Sequence, residues 1–470
     1  MLVMKFGGTS MGSAARMKVA AQICAGQKAE RPTVAVVSAM SKVTDLLLET
    51  LRHAEGGDRD GVRRGVETLT ARHFEVCKDL LSSRAAEYAI TEISGMVREF
   101  ERIAEGILLL GERPPRSVDE AIAIGERLSA MLLATYLNST GVPAQAVNAR
   151  EVIVTDAFFG NATPLLDPTR ERAAKVLKPL LNENVIPIVT GFNGATLDGR
   201  PTTLGRGGSD FSASILAGAM DADELWIWTD VDGIMTADPR LVKDAAVLAE
   251  VTYREAAELA YNGAKVLHPR TLAPLVEKKI PVWSKNSFNL EAPGTKIVPH
   301  IAVPGGARAV TSMANVVLVS LEPASAELSG TAVMARALAA LSRANAEVLC
   351  LSSSSYRQNF CFLIRKDELT VSMTALESEF SLELAHDYLH AIDVDENVGL
   401  LAVVGEGMQG TKGLAGRVFT AISRNDVNII AIAQGSSELT IGIVVRREGL
   451  EKAVQAVHAE CQMGRIAGAG

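Results

Sequence analysis

Lys5-Phe6-Gly7-Gly8-Thr9-Ser10, near the start of the chain, and Thr203-Leu204-Gly205-Arg206-Gly207-Gly208-Ser209-Asp210, near its middle, are two glycine-rich segments of similar character. The first follows the apolar run Met1 to Met4 and precedes the helical pattern Ala14 to Ile23. The second follows the β-branched run Val185 to Thr190 and opens onto Phe211 to Met220. Each therefore reads as a turn from strand to helix. Glycine lets backbone N–H groups approach an anion with no Cβ in the way, and a helix N-terminus adds partial positive charge. With Lys5 and Arg206 supplying full charges, the two segments read as halves of one phosphate site in an α/β fold.

Composition narrows the setting. A chain of 470 residues leaves room for about three domains, and 48% hydrophobic with 22% charged residues is ordinary for a globular protein with a large core. The net charge of -8 argues against a nucleic-acid partner, which calls for a basic face. Apolar runs such as Ile107 to Leu110 and Leu400 to Val404 fall far short of the roughly 18 to 20 residues that cross a bilayer. The start lacks a signal-peptide pattern, so no membrane contact and a cytoplasmic location are expected. Cys24, Cys77, Cys350, Cys361 and Cys461 are odd in number and widely spaced, which favours buried reduced thiols and assigns no metal.

Over the first 300 residues, apolar strands alternate with helical patterns: Leu2 to Phe6, Thr33 to Ser38, Val185 to Thr190, Glu224 to Thr229 and Ile280 to Trp283 read as strands. Such alternation gives a mainly parallel sheet with helices on both faces. From about 50 to 115 the sequence is charged and strand-poor, and Met96, Phe100, Ile103 and Ile107 recur at helical spacing, as expected of a helical insertion. Val298 to Ala307, with Pro299, Pro304, Gly305 and Gly306, reads as a linker. Beyond it the chain repeats. Leu341-Ser342-Arg343 recurs as Ile422-Ser423-Arg424, and the same shift of 81 (423 minus 342) superimposes Val348 on Ile429 and Phe362 on Ile443. Each copy reads as strand, helix, strand, strand, in the second Leu400 to Val404, Gly413 to Ser423, Val427 to Ala433 and Leu439 to Val445. That order suits a ferredoxin-like module.

With these motifs in place the chain resembles the aspartate kinases of the amino-acid kinase family, over essentially its whole length. The resemblance rests on Lys5 to Ser10, Val37-Ser38-Ala39-Met40, Gly125-Glu126-Arg127, Gly191-Phe192, Thr203 to Asp210, Thr229-Asp230-Val231-Asp232-Gly233-Ile234, Asp238-Pro239-Arg240 and Gly263-Ala264-Lys265-Val266-Leu267-His268-Pro269. It implies a catalytic domain over 1–300 and two ACT regulatory domains over 301–388 and 389–470. The implied reaction moves the γ-phosphoryl group of Mg-ATP, as a substrate, to the side-chain carboxylate of L-aspartate, with no tightly bound cofactor. Lys5 and Asp210 would be catalytic, and Thr44, Glu126, Phe192, Arg206 and Ser209 would bind aspartate. ATP would meet Lys5, Gly7, Gly8, Ser10, Thr229, Asp230, Met235, Asp238, Arg240 and Lys265, with Met235 standing where the family usually has Tyr. The ACT domains imply at least a homodimer and an amino-acid effector near Gln434 and Glu438. The 81-residue shift puts Ser353 and Arg357 at those places in the first copy, so feedback by threonine or lysine is expected to be weak or altered.

Chemically, a carboxylate nucleophile needs no general base, so holding two anions in line and neutralising the moving group suffices. Two local patterns point elsewhere. Gly8-Thr9-Ser10-Met11-Gly12 matches the nucleophile elbow of serine hydrolases, but Lys5 and Gly7 have no role in acyl transfer. Gly405-Glu406-Gly407-Met408-Gln409-Gly410 matches a dinucleotide fingerprint, yet only 60 residues follow it, and a turn within the second module explains it better. The chain likewise ends before a homoserine dehydrogenase domain could follow. A non-catalytic amino-acid sensor is the remaining alternative, against which intact Lys5, Glu126, Arg206 and Asp210 argue.

Overall fold

The computed structural model describes residues 1–264, 267–301, 306–324, 328–354 and 359–463. The chain opens with β1 (Leu2–Phe6), α1 (Ala14–Glu30), β2 (Thr33–Val37), α2 (Val43–Glu55), α3 (Arg59–Leu80), α4 (Ser83–Leu110), α5 (Pro115–Ile122), α6 (Ile124–Ser139) and β3 (Ala144–Val147). It continues through α7 (Leu166–Asn182), β4 (Ile186–Thr190), β5 (Asn193–Ala195), β6 (Pro201–Thr203), α8 (Gly208–Ala219) and β7 (Glu224–Thr229). Then come β8 (Glu250–Thr252), α9 (Tyr253–Tyr261), α10 (Pro269–Val276), β9 (Val282–Asn286) and β10 (Thr295–Val298).

Eight of these strands form one sheet in the order β3-β4-β2-β1-β7-β9-β10-β8, in which only the β9–β10 pair is antiparallel. Strands β1, β2 and β4 are buried along their whole length, the mark of a parallel sheet covered on both faces, which is why they read as unbroken apolar runs. The register pairs Phe6 with Val37 and with Trp228, and Val37 with Thr190. The carboxyl ends of β1, β2, β4 and β7 therefore finish level, and Gly7-Gly8, Ser38 to Met40, Gly191-Phe192 and Thr229-Asp230 emerge side by side. In open α/β sheets this edge is where ligands bind.

The helical insertion starts at α2, earlier than the composition change near 50 suggests. Helices α2 and α3 approach closely: a Cβ on Gly65 would stand 2.0 Å from Thr50 Oγ1. In α4, Ala89, Ile93, Val97, Phe100, Ala104 and Ile107 face the core, while Met96 and Ile103 flank it. Two expectations need correction. The second glycine loop follows β6, not β4, because the antiparallel pair β5–β6 is interposed, reversed at Asp198-Gly199 with Gly199 at φ +86°. Strand β9 runs Val282–Asn286 and not from Ile280 to Trp283. Its alternate residues Val282, Ser284 and Asn286 are buried, so pairing with β7 carries polar residues into the sheet.

The remainder comprises β11 (Ala309–Leu321), α11 (Gly330–Arg343), β12 (Cys350–Ser353), β13 (Phe360–Arg365), α12 (Leu369–Glu379), α13 (Ser381–Ala385), β14 (Asp393–Val404), α14 (Leu414–Arg424), β15 (Ile429–Gln434), β16 (Thr440–Arg446) and α15 (Leu450–Glu460). The shift of 81 holds throughout: Cys350 maps on Ala431, Phe360 on Ile441 and Leu369 on Leu450 (450 minus 369). Each copy adds a closing helix to the expected strand, helix, strand, strand. The two copies share one antiparallel sheet, β12-β13-β11-β14-β16-β15, joined along β11 and β14. Helices α11 and α12 cover Val317, Val319, Phe360 and Phe362, and α14 and α15 cover Leu401, Val403, Ile441 and Ile443.

The chain divides into two compact units. The first holds 1–234, 249–253 and 267–300, and the second holds 235–248, 254–266 and 301–470. Two stretches expected in the catalytic domain thus cluster with the repeats. Within the second unit, Val310 N–H donates to Thr236 O at 2.8 Å, and Thr236 Oγ1 meets His458 Nε2 at 2.9 Å. The linker residues 302–305, Lys265 and Arg357 lie outside the described residues. Cys24, Cys77 and Cys461 are buried, Cys350 and Cys361 are half-buried, and all five are free thiols. No helix among the described residues is long and apolar enough to cross a membrane.

Candidate active site

At the level carboxyl edge of the first unit lies a cleft of about 800 Å³. Its lining includes Lys5, Gly8, Ser38 to Lys42, Thr44, Asp45, Asp119, Glu126, Phe192 and Gly205 to Asp210, so the two glycine-rich segments do share one cavity. The Lys5 ammonium lies 2.6 Å from Asp210 Oδ1. Lysine in a buried strand is costly unless paired; Lys5 is 8% exposed, and Asp210, in the first turn of α8, supplies the partner. The carboxylate thereby fixes where the cation sits and also favours the helix N-terminus.

The glycines have separate tasks. Gly207 caps α8 at φ +69°, in the left-handed region that costs glycine nothing. Gly208 admits Phe192, whose ring carbon would stand 2.6 Å from a Cβ there. Phe192 itself adopts φ +70° and accepts at its carbonyl from Leu204 N–H at 2.8 Å, tying the end of β4 to the second loop. In the first loop, Gly8 lines the cleft. Gly7 and Ser10 stand behind it: Gly7 N–H donates to Trp228 O at 3.1 Å, and Ser10, 1% exposed, lies 2.8 Å from Ser287 Oγ. A buried hydroxyl held this way is no exposed nucleophile, which removes the serine-hydrolase reading. Gly405 to Gly410 form a short turn of 3-10 helix, Glu406–Met408, after β14, with no helix dipole to face a pyrophosphate.

Glu126, in the first turn of α6, is 2% exposed. One carboxylate oxygen accepts from Ala39 N–H at 3.1 Å; the other is buried with no partner among the described residues. Burial pushes its carboxyl up to about 8, the Ala39 N–H offsetting this only in part. A buried half-satisfied carboxyl in a cleft is a receptor for a cation or a donor. Thr44, Ser209 and the exposed Arg206 line the same cavity, so all five expected aspartate ligands come together there.

The nucleotide residues divide. Thr229 ends β7, beside Gly7, with its carbonyl accepting from Ser287 N–H at 2.9 Å, and Asp230 follows, exposed. Met235, Asp238 and Arg240 belong to the second unit, where the exposed Arg240 guanidinium grips Asp238. Gln434 is exposed at the end of β15, and Glu438, at φ +53°, accepts from Gly410 N–H at 2.7 Å.

Sequence reasoning missed Asp119. It is 1% exposed and accepts from Thr203 N–H, Thr203 Oγ1 and Gly160 N–H at 2.9, 2.7 and 2.9 Å, pinning β6 and the 156–164 loop to α5. Burial raises its carboxyl, with these bonds opposing. Its one signal was the acidic pair Asp119-Glu120 between Val118 and Ala121. Lys42, also missed, lines the same cleft. No group of three His, Cys, Asp or Glu side chains that could hold a metal occurs among the described residues.

A mainly parallel sheet with two glycine loops meeting over a paired Lys and Asp defines a phosphate-handling α/β domain, and the amino acid kinase family model matches residues 1–286, with an ACT domain model matching 401–461. The chain belongs to the amino acid kinase family, in its aspartokinase branch. It is 33% identical to lysine-sensitive aspartokinase 3 of Escherichia coli across 97% of this chain and 98% of that one. The structure of E. coli aspartokinase III in complex with aspartate and ADP superimposes with a TM-score of 0.84 at 31% identity, covering 98% of this chain and 99% of the other. A chloroplastic bifunctional aspartokinase/homoserine dehydrogenase of Arabidopsis thaliana is 35% identical across 98% of this chain, which spans 51% of that relative. The chain thus covers about half the length of the bifunctional relatives it matches.

Proposed function

We infer that the cleft transfers the γ-phosphoryl group of ATP to the side-chain carboxylate of L-aspartate, giving 4-phospho-L-aspartate and ADP. This is the first step toward the aspartate-derived amino acids lysine, threonine and methionine, and we place it in the cytoplasm. The observation that carries it is the buried, half-satisfied Glu126 carboxyl in the same cavity as the Lys5–Asp210 pair. Glu126 receives the substrate ammonium, Arg206 grips a carboxylate through two parallel hydrogen bonds, and Thr44, Phe192 and Ser209 complete the acceptor pocket. Lys5 offsets the charge of the transferring group, and Asp210 keeps its ammonium in place. Gly8 leaves the backbone bare beside the phosphates, while Gly7 and Ser10 hold the loop from behind. Magnesium enters with ATP and supplies charge neutralisation to its phosphates; the protein's own part is positioning.

Thr229, Asp230, Met235, Asp238, Arg240 and Lys265 are assigned to the nucleotide. The relative's name records lysine sensitivity; here Ser353 and Arg357 in the first copy favour a weaker response. Association of the ACT modules makes the protein at least a homodimer. The test is acyl-phosphate trapping by hydroxylamine with ATP and each of aspartate, glutamate and acetylglutamate. Aspartate alone should give product; turnover only with another acceptor would refute the assignment.

A further inference from the structure

Between β2 and α2 the chain places Lys42 at φ +63°, ψ +8°, in the left-handed region. Residues with a Cβ avoid that region, and when one is held there at a cleft the surroundings must over-determine it. They do so here. Arg72, from α3, donates to Ser41 O at 2.9 Å, Ser41 N–H donates to Gly8 O at 3.0 Å, and Val43 N–H donates to Met40 O at 2.9 Å. The loop is clamped from three sides, and glycine would fit it without strain. The residue held there is a lysine, and it lines the cleft.

The cleft is lined by the cations Lys5, Lys42 and Arg206 and by the acids Asp45, Asp119, Glu126 and Asp210. Lys5 is paired with Asp210, and Arg206 is engaged as well. Among the described residues, Lys42 is the lining cation with no ion-pair or hydrogen-bond partner for its ammonium; Asp45, one turn on, does not pair with it. An incoming anion therefore meets Lys42 without first breaking a protein ion pair. The loop also fixes which anion: Ala39, three residues earlier, holds Glu126, and Thr44, two residues later, lines the acceptor wall.

We propose that Lys42 is a substrate-binding residue that holds a carboxylate of the amino-dicarboxylate acceptor, opposite the ammonium end received by Glu126. The inference rests on the reading of the cleft given above. It calls for steady-state kinetics on the full chain with Lys42→Asn, which tolerates the left-handed backbone without the charge, and Lys42→Arg, which keeps the charge. Lys42→Asn should raise KM for aspartate about tenfold or more with KM for ATP within about twofold, as for loss of one charged hydrogen bond. Lys42→Arg should recover most of this, and added salt should raise the aspartate KM of the wild type more than that of Lys42→Asn. Lys42→Gly should melt no lower than wild type, because it relieves the backbone. An unchanged aspartate KM in a folded Lys42→Asn, an equal rise for both substrates, or a rise for ATP alone would each overturn the proposal. Failure of the underlying reading looks different: the wild type itself would then give no product from aspartate.

Discussion

Two ionisable residues of the cleft, Lys5 and Glu126, are built in opposite ways. Lys5 is satisfied before any ligand arrives, with Asp210 at 2.6 Å, whereas Glu126 keeps a buried oxygen with no partner among the described residues and a carboxyl pushed up to about 8. A satisfied ion is a fixed fitting whose position costs nothing at the moment of reaction. A buried carboxyl with an unsatisfied oxygen holds an unfavourable state that the right ligand relieves, so it discriminates between ligands. On the proposed function, the Lys5 side of the cleft serves rate and the Glu126 side recognition.

Removing each side should break the comparison differently. Lys5→Ala should lower turnover on the order of 10³-fold, the usual consequence of deleting a preorganised cation, with little change in the aspartate KM; near wild-type turnover in the folded variant would remove Lys5 from catalysis. Glu126→Gln should weaken kcat/KM for aspartate by roughly 1.5 to 3 kcal/mol while ATP affinity stays nearly the same; an equal loss for both substrates would make Glu126 a support of the fold. Asp119→Ala leaves three donors unmet in the wall between these halves and should destabilise the protein by about 1 to 3 kcal/mol, read as a lower Tm. The smallest effect is regulatory: titrating threonine or lysine against activity at subsaturating aspartate should give partial inhibition that Gln434→Ala abolishes. Full inhibition at submillimolar threonine would show that the first copy's Ser353 and Arg357 do not matter.

What could be read from the sequence follows the same division. Lys5, the glycines and Asp210 sit in contiguous motifs, so their meeting in one cleft was legible, as was the 81-residue repeat, whose period survives in every strand and in the helix pairs α11/α14 and α12/α15. The strand assignments held where both faces are buried, as in β1 and β2, and slipped in β9, where Ser284 and Asn286 break the apolar run. The hairpin β5–β6 was missed although Asp198-Gly199 announces its turn, because its strands are only three residues long. Asp119 and Lys42 depend on tertiary placement: one acid on an apolar helix face and one lysine in an unusual backbone conformation carry no motif. The clustering of 235–248 with the repeats is likewise a matter of packing, since those residues are sequence neighbours of β7.

The unsatisfied Glu126 also sets a pH dependence. Its folded value near 8 lies above the 4.5 of an exposed glutamate, so the folded protein holds a proton that the unfolded chain gives up first. The stability this confers is present below 4.5 and is lost as pH rises toward 8. A substrate ammonium reverses the balance by favouring the ionised form, so binding must expel that proton. Calorimetric titration of aspartate into the protein at pH 7, in buffers of differing ionisation enthalpy, reads this directly. Release of about one proton per aspartate bound is expected in the wild type and none in Glu126→Gln; binding without proton release in the wild type, or the same release in the variant, would overturn the role given to Glu126.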